Sequence, residues 1–90
     1  MSEIFETLSP IKQGIALAKE KKFDEAIKVF KKLHVQDRRD VDVLHNLAMC
    51  YIQVDDFDTA IEFFHKAIKL DPRRVESLYA LGSAYLNMHK

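Results

Sequence analysis

Glycine and proline are scarce in this chain, two of each in 90 residues, and tryptophan is absent. Tight β-turns draw on glycine and proline, so a turn-rich β architecture has little room here. Cys50 is the single cysteine, which excludes an internal disulfide. A small chain without a disulfide framework fits a reducing compartment, and the cytoplasm is the expected location. No charge of one sign is in excess: Lys plus Arg and Asp plus Glu are 14 each. Bulk capture of nucleic acid or of an anionic membrane needs a basic surplus, so both are disfavoured. No stretch approaches the roughly 18 apolar residues of a membrane span. The opening Met1-Ser2-Glu3-Ile4-Phe5-Glu6 is acidic and too short in apolar length for a signal peptide. What is present is an ordinary globular mix, 48% hydrophobic and 31% charged.

The chain repeats itself. Displaced by 34 residues, twelve of 56 overlapping pairs are identical, from Phe23/Phe57 to Tyr51/Tyr85. Usual residue frequencies supply about three or four. The first 22 residues contribute none of the twelve, so the opening segment has diverged.

Apolar spacing predicts five helices, roughly 10–21, 24–35, 41–54, 58–70 and 74–89. Val41, Leu44, Leu47, Ala48 and Tyr51 share one helical face; Ala60, Ile61, Phe64, Ala67 and Ile68 share another. Ala26, Ile27, Phe30 and Leu33 copy the second pattern one period earlier. The breaks are short and polar. Asp40 is placed to cap the helix from Val41, and Asp58 or a neighbour the one after Asp55-Asp56. Asp71-Pro72 ends a helix, because proline keeps the residue before it out of helical backbone. Ser9-Pro10 suits a cap and first helical position, although a start nearer Ser2 fits as well.

These residues meet a family pattern: the chain resembles the tetratricopeptide repeat, a 34-residue helix-turn-helix unit. Residues 41–74 carry Leu47, Ala48, Tyr51, Ala60, Phe64, Ala67 and Pro72 at its signature positions. Residues 7–40 keep Gly14, Ala26 and Phe30 but depart at Gln13, Leu17 and Arg38. Residues 75–90 repeat Leu81-Gly82 and Tyr85, and residues 1–6 form an extension. The resemblance implies an all-α fold, a short solenoid of stacked helical hairpins (an α–α superhelix) of about five helices. The chemistry agrees. Gly14, Ala48 and Gly82 let helices approach closely, and Phe30, Tyr51, Phe64 and Tyr85 fill the space beside such notches.

The same resemblance implies a non-catalytic scaffold that holds a peptide or partner helix on a concave face lined by the first helix of each unit. The matching side chains are Lys12, Ile15 and Lys19; His45, Asn46, Met49 and Gln53; Tyr79, Ser83 and Asn87. Asn46, Gln53 and Asn87 suit a peptide backbone, since amides donate and accept; Ile15, Met49 and Tyr79 suit apolar side chains. One branch of the family clamps the C-terminal carboxylates of chaperones. The matching positions are Ile11, Ile15, Asn46, Glu76 and Ala80; only Asn46 fits, and Glu76 repels a carboxylate. A chaperone C-terminal peptide is therefore not the expected partner.

The last helix carries more large apolar residues than one contact needs. Leu78, Leu81, Tyr85, Leu86 and Met88 make self-association into a homo-oligomer the alternative function. RNA binding by helical repeats is weaker still, given the charge balance. His34, His45, His65 and His89 lie on different helices without a close pair, so no metal is expected, nor any cofactor. Cys50 beside Tyr51 suits a small core residue. Arg38-Arg39 and Arg73-Arg74 recur about one period apart beside Asp37, Asp40, Asp71 and Glu76, which suits solvated turns better than a phosphate grip.

Overall fold

A computed structural model describes residues 7–88. The extension at 1–6 and His89 lie outside the described residues. Among the described residues five helices of a turn or more follow one another: α1 (Pro10–Lys19), α2 (Phe23–Gln36), α3 (Val41–Gln53), α4 (Phe57–Leu70) and α5 (Val75–Met88). Each packs on its sequence neighbours, and α1 touches α3 as α3 touches α5. That pattern makes an all-α stack of hairpins, 41 × 27 × 20 Å.

The helix starts follow the local chemistry, with one correction. The carboxylate of Asp40 accepts from the Val43 N–H at 3.3 Å and opens α3. Asp56, the neighbour of Asp58 in that turn, does the same for α4, accepting from the Thr59 N–H at 3.3 Å. Ser9 stands at the cap position of α1 with Pro10 next, but its side chain makes no capping bond. Instead, the Ser9 carbonyl accepts from the Gln13 N–H at 2.9 Å. The helix also stops earlier than its apolar pattern suggests. Lys21 is left-handed, φ 62°, and the Lys22 N–H turns back to the Leu17 carbonyl at 2.9 Å. Asp55, φ 63°, ends α3 in the same way, with Asp56 N–H on the Tyr51 carbonyl.

The core runs between the helices. Ala26, Phe30, Leu44, Leu47, Ala48, Ala60, Phe64 and Ala67 are fully enclosed. At Gly14 the α1 backbone comes so close to the Phe30 ring that an added Cβ would stand 2.6 Å from it. Small residues on one helix and a ring on the next therefore set the interhelical approach. The turns repeat as well: Asp37 accepts from the Arg39 N–H at 3.0 Å, and Asp71 from the Arg73 N–H at 3.3 Å.

Gly82 corrects the expectation of a notch at every period. It lies one period after Ala48, yet nothing comes within 4 Å of a Cβ built on it. Tyr85 and Leu78 are 40% and 47% exposed, whereas their counterparts Tyr51 and Leu44 are 9% and 0% exposed. No helix among the described residues packs on that side of α5.

Candidate functional site

Two apolar depressions lie along α1, α3 and α5. The first, about 340 Å3, opens between α1 and α3 over Ile15, Ala18, Phe23, Met49 and Cys50. Lys19, Lys21, Asn46 and Gln53 complete its wall. The second, about 450 Å3, opens between α3 and α5 and is lined by His45, Met49, Val75, Glu76, Tyr79 and Ala80. Met49 belongs to both, so they form one groove divided by a thioether.

The helices place these groups by periodicity. On α3, the middle rod, Asn46, Met49, Cys50 and Gln53 fall on one side and line the first depression, while His45 and Met49, four residues apart, line the second. Tyr79 is 79% exposed beside it, a large ring with little covering it.

Seven of the ten residues expected on this face line the depressions: Ile15, Lys19, His45, Asn46, Met49, Gln53 and Tyr79. Lys12, Ser83 and Asn87 do not. Two of the expected amides are also partly engaged. Asn46 Nδ2 donates to the Asp42 carbonyl at 2.8 Å, and Asn87 Nδ2 to the Ser83 carbonyl at 3.0 Å. Among the described residues the carbonamide oxygen of each makes no such bond, and the second N–H of each Nδ2 is also left, so both side chains can still accept and donate. Lys21, Phe23, Cys50 and Val75 were not foreseen. Three sit in or beside turns that helical periodicity does not describe; Cys50 was expected in the core, where it also lies at 3% exposure.

The electrostatics differ along the groove. Arg74 pairs with Asp42 and, at 4.0 Å, with Glu76, tying the start of α5 to α3. His45 Nδ1 lies 3.0 Å from the Ser77 hydroxyl, and its ring meets Phe64 edge-on at 5.8 Å. Burial, and then the Arg74 charge, lower its pKa, with Glu76 and Asp42 opposing. The Cys50 thiol is pushed up to about 11 by burial, so it stays protonated and unreactive.

On the other side, His34, Arg38, Arg39, Lys66 and Lys69 surround a separate depression where the carbonyl ends of α2 and α4 lie. Cations at helix C-termini complement the helix dipole. The expected self-association residues divide: Leu78, Tyr85, Leu86 and Met88 are exposed, 40–72%, while Leu81 is half-buried against the core. The Tyr85 hydroxyl also lies 3.1 Å from His65 Nε2. Among the described residues, no group of three His, Cys, Asp or Glu side chains converges as metal ligands would, and no helix is long and apolar enough to cross a membrane.

Comparison with known proteins gives the same architecture. The family profile of the tetratricopeptide repeat matches residues 17–80. No curated protein sequence matches the chain. Among solved structures, the second tetratricopeptide repeat domain of Spaghetti (RPAP3), bound to the HSP90 peptide SRMEEVD, superposes with a TM-score of 0.85 at 22% identity, over 89% of this chain and 74% of that one. MamA residues 41 to the end, from Desulfovibrio magneticus RS-1, gives 0.85 at 22% identity, over 89% of this chain and 45% of its own. The Yersinia enterocolitica type III secretion translocator chaperone SycD gives 0.86 at 20% identity, over 99% and 60%. The chain thus spans about half the length of the MamA structures it matches.

Proposed function

We propose that this chain, which belongs to the tetratricopeptide repeat family, is a non-catalytic scaffold that holds an extended peptide or a partner helix in the groove along α1, α3 and α5. The family fold is in general that of a protein-interaction scaffold. The observation that carries the groove reading is the pair of apolar depressions sharing Met49, with the amides of Asn46 and Gln53 on the wall of the first. Apolar pockets supply affinity for side chains, and a few polar groups orient the segment between them. With the unpaired Cys50, a reducing compartment, the cytoplasm, suits such a scaffold.

The test is affinity capture from source lysate with the wild-type chain and with a Met49→Glu, Tyr79→Ser variant. Both residues are exposed, so the variant keeps its melting temperature. Partners lost together in the variant support the groove; an unchanged set refutes it. The Spaghetti domain is bound to a chaperone heptapeptide, but the corresponding wall differs here. Ile11 and Ile15 stand where that mode needs a lysine and an asparagine, and Glu76 and Ala80, which line the far depression, stand where it needs a lysine and an arginine. Calorimetric titration with SRMEEVD is expected to show no binding, and micromolar affinity would overturn that.

A second reading rests on Gly82. The open backbone there, with Leu78, Tyr85, Leu86 and Met88 exposed around it, supports self-association through α5. Sedimentation decides: growth in mass with concentration supports pairing, and a monomer at high concentration removes it.

A further inference from the structure

The groove is charged unevenly. At one end Lys19 and Lys21 line the depression between α1 and α3. Neither appears in an ion pair among the described residues; the neighbouring Lys22 is the one that meets Glu20, at 3.7 Å. At the other end Glu76 lines the depression between α3 and α5, and it shares the single guanidinium of Arg74 with Asp42 at the start of α3. The α1 end thus holds two uncompensated cations, and the α5 end an excess of negative charge.

Lys21 adds a second observation. Its backbone is left-handed, φ 62°, and its N–H donates to the Ala18 carbonyl at 3.0 Å. Glycine takes this helix-ending conformation without a Cβ clash, and a short polar side chain such as Asp55 tolerates it. Lysine gains nothing from the backbone there. What its side chain adds is a lysine among the residues that line the depression.

We infer that the groove takes an extended peptide with two apolar side chains, one on each side of Met49, oriented by a carboxylate side chain at the Lys19–Lys21 end and by a cationic or uncharged residue at the Glu76 end. This rests on the groove reading above and adds a polarity to it. Charge complementarity of this kind fixes register and discriminates between partners more than it raises affinity. A nucleic-acid strand fits less well: its charge repeats at every nucleotide and would face Glu76 and Asp42.

The experiment pans a random dodecapeptide phage library against three forms of the chain: wild type, Met49→Glu, and Lys19→Ser with Lys21→Gly. The last substitution relaxes the left-handed residue, so circular dichroism should show this form at least as stable as wild type. The expected wild-type selection has Asp or Glu beside one of two apolar residues. Met49→Glu should abolish it. Synthetic copies of the selected peptides should bind the doubly substituted form about three- to tenfold more weakly by fluorescence anisotropy at low salt, with the gap closing in about 1 M salt. Apolar sequences without charge preference, bound equally by the doubly substituted form, would overturn the polarity and leave the groove standing. Basic residues at the Lys19–Lys21 end, with tighter binding to the doubly substituted form, would likewise overturn it. No enrichment, or enrichment that Met49→Glu leaves intact, would overturn the groove reading itself.

Discussion

Gly14 and Gly82 occupy the same place in the repeat, two periods apart, and alanine should act on them in opposite directions. Both lie inside helices, where replacing glycine by alanine contributes about 1 kcal/mol through backbone entropy. At Gly82 nothing stands within 4 Å of the new methyl group, so Gly82→Ala should be stabilising by about 0.5–1 kcal/mol. At Gly14 the methyl would stand 2.6 Å from Cε1 and Cζ of Phe30 and 3.1 Å from Cδ1. Ordinary carbon contacts are about 3.5–4.0 Å, so ring and helix must part by roughly 1 Å. Phe30 is fully enclosed and has no free side to yield to. Overpacking of this kind costs about 1–3 kcal/mol, which leaves Gly14→Ala about 0–2 kcal/mol destabilised. For a domain of this size 1 kcal/mol moves Tm by about 4–8 °C, so a difference of about 0.5–3 kcal/mol should separate the two melting temperatures by roughly 2–24 °C, Gly82→Ala higher. Thermal and urea melts followed at 222 nm measure both. Adding Phe30→Leu to Gly14→Ala should reduce the penalty relative to Phe30→Leu alone. If Gly14→Ala stabilises as much as Gly82→Ala, the notch-and-ring packing assigned to α1 and α2 is wrong.

Asp40→Ala removes the α3 cap and should destabilise by about 0.5–2 kcal/mol, whereas Asp58→Ala, which removes no capping bond, should change stability by less; urea midpoints distinguish them. Stability should fall below neutral pH through two histidines. Burial lowers both, with Lys66 and Arg38 adding to the effect at His34 and Arg74 at His45. The unfolded chain then binds protons first, so the loss begins near pH 6.5 and is complete below the folded values. A His34→Gln, His45→Gln variant should flatten that part of the profile, and an unchanged slope would refute the assignment. Cys50, 3% exposed with its thiol pushed up to about 11, should resist iodoacetamide at pH 8 in the folded chain and react in urea; equal rates would contradict its burial.

The apolar spacing, the 34-residue period and Asp40 were sufficient to place the helices within a residue or two, because these are local relations along one rod. Enclosure of Phe30, Phe64, Ala26 and Ala60 followed for the same reason: a helix has one apolar face, and the spacing says which it is. Seven of the residues that the family resemblance puts on this face line the two depressions, since one side of α1, α3 and α5 faces them. The turn-borne members of the groove, Lys21, Phe23 and Val75, were not legible, because periodicity ends where a helix ends and only the stacking returns those turns to the side of α3 or α5. Burial at repeated positions was decided by the tertiary structure alone. Tyr51 and Tyr85 are the same residue in the same place, yet one is 9% and the other 40% exposed. Leu44 and Leu78, and Gly14 and Gly82, part in the same way. A sequence specifies which face of a helix seeks cover; whether another helix arrives to cover it depends on neighbours in space, and among the described residues α5 has such neighbours on one side alone.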